Sequence, residues 1–121
     1  MARILLIDDH ELARYTMQVI LESAGHDVVQ AENGREGIER HGTQSFDLVV
    51  TDMIMPDVED VETIKTLLEQ DPTQRIIAVS GGGGTGRVDH LESTSSVGAQ
   101  RILQKPFSEN ELLECVTSCL G

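Results

Sequence analysis

Three short apolar runs in this chain each end in oxygen-bearing side chains. Ile4-Leu5-Leu6-Ile7 runs into Asp8-Asp9, Leu48-Val49-Val50 runs through Thr51 into Asp52, and Ile76-Ile77-Ala78-Val79 runs into Ser80. If the runs are adjacent parallel strands, three carboxylates and a hydroxyl meet at one sheet edge. Clustered carboxylates repel one another, and a hard divalent cation with oxygen ligands relieves that repulsion. Mg²⁺ is the expected ion. In open α/β sheets, the carboxyl ends of the strands are also where ligands bind.

The elements that must position these residues follow from periodicity. Leu48-Val49-Val50 is unbroken, as suits a strand covered on both faces, and Pro56 bars further ladder pairing because it has no N–H. Strands are expected at residues 3–7, 27–31, 46–51, 75–79 and 100–104. Helices are expected at about 11–24, 35–41, 60–70 and 87–96, with a last helix after a capping box of Ser108 and Glu111. Ala13, Met17, Ile20, Leu21 and Ala24 form the first helix's apolar stripe, and Gly25 ends it. Asn33-Gly34 reads as a turn. Strand and helix alternate five times with short connections, which predicts an α/β fold with a parallel sheet covered on both faces. No repeat, linker or second domain interrupts the pattern, so residues 1–121 read as one domain.

Composition excludes several classes. Nine basic and 21 acidic side chains give a formal net charge of −12. That argues against direct nucleic-acid binding, which needs Lys/Arg patches, and fits a cation binder or a chain that meets a basic protein surface. No apolar run approaches the roughly 18 residues that a membrane span requires. Met1-Ala2-Arg3 leads directly into a strand without a signal-peptide pattern, so the expected location is cytoplasmic. Cys115 and Cys119 share a helix face and read as small buried hydrophobes. The four histidines read as solvated side chains.

These residues together resemble the response-regulator receiver domain of two-component signalling, over the full length. The resemblance rests on Asp8-Asp9 after strand one and Asp52-Met53-Ile54-Met55-Pro56 after strand three. It rests equally on Ser80 after strand four and Lys105-Pro106-Phe107 after strand five. It implies a flavodoxin-like (βα)5 doubly wound fold, with five parallel strands in the order 2-1-3-4-5. It implies that Asp52 accepts a phosphoryl group from the phosphohistidine of a histidine kinase or histidine phosphotransfer protein. Asp8, Asp9, Asp52 and the backbone carbonyl of Ile54 would hold Mg²⁺, while Ser80 and Lys105 would contact phosphate oxygens. Lys105-Pro106 would be the family's cis peptide. The output surface would be strand five and the last two helices, acting on a downstream protein partner or on an effector domain absent from this chain.

The chemistry agrees with those roles. A carboxylate needs no base to act as a nucleophile at neutral pH, and phosphoryl transfer depends chiefly on positioning and charge neutralisation. Departures from the family pattern are also visible. Ile102 stands where many members carry Tyr or Phe, so the usual aromatic switch cannot be carried over. Asp60 stands where Gly is common, and Gly81 where Ala is common. Gly81 to Gly86 satisfies G-x-G-x-x-G but lies too late in the chain for a dinucleotide turn, and Arg87 stands where a P-loop needs Lys. The run is expected to be a mobile loop. Two alternatives remain: a phosphorylation-independent interaction scaffold, and an aspartyl-phosphate phosphohydrolase. The latter wants Asp-x-Asp, which Asp52-Met53-Ile54 lacks.

Overall fold

The computed structural model describes residues 2–53, 58–80, 101–104 and 107–120, with backbone only at 53, 58–61, 80 and 104. In chain order the elements are β1 (Arg3–Ile7), α1 (Glu11–Ser23), β2 (Asp27–Ala31), α2 (Gly34–Thr43), β3 (Leu48–Met53), α3 (Val58–Gln70), β4 (Ile76–Ser80), β5 (Arg101–Gln104) and α4 (Glu109–Leu120). The helix expected over 87–96 and the glycine run both lie outside the described residues.

All four strand pairings are parallel, in the order β2-β1-β3-β4-β5, as the resemblance implies. This is a flavodoxin-like α/β fold. Alternation along β1 divides the core: Ile4 and Leu6 pack with Met17 and Leu21 of α1 and with Leu112 and Val116 of α4. Leu5 and Ile7 face the other way, into a cluster with Val49, Ile64 and Leu67. The central strands are therefore apolar on both faces, which accounts for their unbroken sequence runs.

Local chemistry fixes the helix ends. Gly25 takes φ 92°, a left-handed conformation that glycine adopts without steric cost. Its N–H donates to the Glu22 carbonyl and that of His26 to the Leu21 carbonyl, a Schellman close to α1. The capping box on α4 forms as expected: Ser108 N–H donates to Glu111 Oε1 at 2.9 Å and Glu111 N–H to Ser108 Oγ at 3.1 Å. Asn33-Gly34 is not a free turn. Asn33 is the N-cap of α2, accepting from Glu36 N–H at 2.8 Å, so α2 begins at Gly34 and runs longer than expected.

α2 sits close to its neighbours because two of its positions lack a side chain. A Cβ on Gly34 would lie 2.1 Å from Thr63 Oγ1, and one on Gly37 would lie 2.4 Å from Ile7 Cδ1. Gly37→Leu is expected to lower stability by about 1–3 kcal/mol through overpacking, read by urea denaturation. An unchanged midpoint would mean that α2 is free to move outward.

His41 differs from expectation. It is buried at 9% exposure, not solvated. Gln74 donates its amide N–H to the Arg75 carbonyl at 3.2 Å, so its Oε1 accepts from His41 Nε2 at 2.8 Å. His41 Nδ1 lies 2.7 Å from the Gln70 side-chain amide, and its ring stacks on Phe46. His26 is half-buried, and its Nδ1 accepts from Ala2 N–H.

Candidate functional site

The sheet register brings the carboxylates together. Ile7 pairs with Thr51 across β1 and β3, so the next residues along, Asp8 and Asp52, follow side by side. Asp52 lies within β3, one residue before its end, rather than just past the strand. Asp8 keeps to the sheet edge through its N–H, which donates to the Ala31 carbonyl at 3.1 Å. One carboxylate oxygen from each of Asp8, Asp9 and Asp52 lies within 4.8 Å of the others.

Their surroundings differ. Asp8 is 1% exposed, Asp52 is half-buried and Asp9 is exposed. Asp8 Oδ1 accepts from His10 N–H at 2.9 Å. Its Oδ2 is buried and has no hydrogen-bond partner among the described residues. An unsatisfied buried carboxylate oxygen is costly unless something cationic meets it. An all-oxygen donor set of this kind fits a hard divalent cation such as Mg²⁺ or Ca²⁺. Neither aspartate serves as the N-cap of α1; His10 holds that position without a side-chain cap.

The remaining site candidates divide into three groups. Met53 pairs with Ser80 across β3 and β4, so Ser80's backbone stands beside the residue that follows Asp52. Ile54, Lys105 and Pro106 lie outside the described residues. Ile102 is half-buried on β5, paired with Ala78.

Sequence reasoning missed Arg14. Only 9% exposed, it reaches back to donate from Nη1 to the Asp8 carbonyl at 2.7 Å and from Nε to Gln30 Oε1 at 2.9 Å. It thereby fixes the backbone that carries the buried carboxylate. A cation between Ala13 and Met17, on the stripe that faces the core, was the available signal.

The cysteines stay apart from this chemistry. Cys115 and Cys119 pack against the core on α4. Burial pushes both thiols up from the ordinary range, so neither is a ready nucleophile.

The carboxylates open into a cleft of about 570 Å³. Ile7 and Thr51 line it, with Asn33 at the N-cap of α2, Arg35 and Glu39 from α2, and Glu62 from α3. No described helix is long and apolar enough to cross a membrane.

Comparison with known proteins agrees with this geometry. The chemotaxis protein CheY of Bacillus subtilis is 33% identical over 121 residues, with 98% of both chains aligned. The chemotaxis protein CheY of Thermotoga maritima is 31% identical over 115 residues, covering 94% of this chain and 93% of that one. Among solved structures, the chemotaxis protein CheY4 of Vibrio cholerae superposes with a TM-score of 0.87 at 27% identity, covering 99% of each chain. The model of the response regulator receiver domain matches residues 4–117. A match of that extent, on a sheet of this order, settles the family: the chain belongs to the response regulator receiver domains.

Proposed function

We propose that Asp52 is the phosphoacceptor of a cytoplasmic signalling module formed by residues 1–121 as a single domain. The donor is the phosphohistidine of a histidine kinase or histidine phosphotransfer protein. An Asp52 carboxylate oxygen attacks phosphorus, the P–N bond breaks, and the imidazole nitrogen leaves with the bonding pair. The observation that carries this reading is the meeting of three carboxylate oxygens within 4.8 Å at the carboxyl end of a parallel sheet.

Asp8, Asp9, Asp52 and the Ile54 carbonyl would hold Mg²⁺. When bound, the ion supplies charge neutralisation and alignment of the phosphoryl oxygens. Asp8 needs such a partner for its buried Oδ2, and Arg14 holds the Asp8 backbone in place. Ser80 donates to one phosphate oxygen and Lys105 pairs with another. The acyl phosphate then shifts the surface around β5 and α4, for recognition by a downstream protein. Ile102 lacks a ring and a hydroxyl, so that shift runs without an aromatic switch. Turnover is limited to self-directed transfer and slow autodephosphorylation.

Intact-mass analysis after incubation with acetyl phosphate tests the proposal. One phosphoryl adduct is expected with Mg²⁺ and none with EDTA. A chain that stays unmodified with Mg²⁺, or labels equally in EDTA, overturns it.

A further inference from the structure

The cleft beside Asp52 is larger than an ion and a phosphoryl group require. At about 570 Å³ it falls within the roughly 300–1,000 Å³ of small-ligand sites. The space beyond the carboxylates extends along the first turns of α2 toward α3. Its described ionisable groups are strongly unbalanced. Asp8, Asp9, Asp52, Glu39 and Glu62 are acidic, and Arg35 is the one cation among them. Even with a divalent ion on the three aspartates these groups sum to a negative charge, so a dianionic donor approaching Asp52 crosses a field that repels it, with Arg35 as the single described side-chain attraction at the rim.

Arg35 is available for that task. Its side chain is 91% exposed, and its Nε lies 3.8 Å from Glu39 Oε1, beyond hydrogen-bond distance. Its planar fork of donors suits a carboxylate or phosphate. Arg40, on the same helix, contrasts with it: Nη2 donates to Glu36 Oε1 at 3.2 Å, and Arg40 does not line the cleft.

We infer that Arg35 is a specificity-determining residue for small anionic phosphodonors of the acyl phosphate class, engaging the donor's acyl oxygens at the outer edge of the cleft. This rests on Asp52 being the acceptor. In the step, an Asp52 oxygen bonds to phosphorus and the bridging P–O bond breaks. The carboxylate leaves with that electron pair, no proton is transferred, and Arg35 receives the departing negative charge. Glu39 competes for the same guanidinium, so its neutralisation strengthens the effect.

The test compares labelling rates from acetyl phosphate, a dianion with an anionic leaving group, and phosphoramidate, a monoanion that releases ammonia. Five proteins are used, all with Mg²⁺: wild type, Arg35→Gln, Arg40→Gln, Glu39→Gln and Asp52→Asn. Arg35→Gln should slow labelling from acetyl phosphate about 3- to 10-fold at low salt, with the gap closing as salt is added. Phosphoramidate labelling should change less than about 1.5-fold, since the donor lacks the acyl group that Arg35 meets. Arg40→Gln should leave both rates unchanged, and Glu39→Gln should raise the acetyl phosphate rate. An Arg35→Gln protein as fast as wild type overturns the inference. So does an equal slowing by Arg35→Gln and Arg40→Gln, which would mark a general charge effect. Label that persists in Asp52→Asn would instead remove the acceptor reading, an outcome told apart because it does not depend on Arg35.

Discussion

Asp52→Asn is expected to eliminate phosphate incorporation from acetyl phosphate, with a loss of at least about 100-fold, or roughly 2.7 kcal/mol of transition-state stabilisation. The substitution keeps the size and planarity of the side chain. What it removes is the ionised oxygen that attacks phosphorus in the proposed reaction, since an amide oxygen is a far weaker nucleophile than a carboxylate. Asp52 lies within β3 in a tight register with β1 and β4, so the variant should fold as the parent does. Intact mass and a urea titration on the same sample separate the two effects. A variant that is stable yet still labelled would place the acceptor on another group, Asp8 or Asp9 being the nearest candidates.

The second large effect is expected at Asp8. Asp8→Asn should stabilise the metal-free protein by about 1–3 kcal/mol, because it replaces a buried charge whose Oδ2 has no described partner. The amide oxygen can go on accepting from His10 N–H, while the new amide N–H faces the neighbouring carboxylates. The same change should cost most of the Mg²⁺ affinity. In the parent, ligand linkage predicts about 2.7 kcal/mol of added stability at 100-fold excess over Kd. In Asp8→Asn that increment should nearly vanish. Urea denaturation in EDTA and in excess Mg²⁺ measures both. Lower stability in EDTA would show that the buried Asp8 charge costs nothing, and an undiminished response to Mg²⁺ would show that Asp8 is not a ligand.

The fold was legible in the sequence because its central strands are apolar on both faces. Leu48-Val49-Val50 and Ile76-Ile77-Ala78-Val79 admit little besides buried parallel strands, and both proved fully buried. The acidic pair and Asp52 were legible for a related reason. A charged residue closing such a run must sit at or near a strand end, and parallel strands share one edge. The boundaries were less clear. Register, not composition, decides where pairing stops, so β3 extends through Asp52 to Met53.

Other residues were illegible because their partners lie far along the chain. His41 bonds to side chains 29 and 33 residues away, and no local pattern announces that. Asn33-Gly34 carries the same letters whether it turns a hairpin or caps a helix. In the fold it caps α2, which packs against Ile7 and Thr63. Arg14 had a signal, a cation on an apolar stripe, but its target is a backbone carbonyl and so has no sequence signature.

The imidazole of His41 has a mechanical consequence. It clamps the carboxyl-terminal turn of α2 to that of α3, while the bare backbone at Gly34 presses on Thr63 nearer the mouth of the cleft. Two rods tied at one turn and in close contact at another resist scissoring apart. A displacement on this flank should therefore carry the pair together, so the α2–α3 side of the cleft should keep its shape as an ion or anion enters.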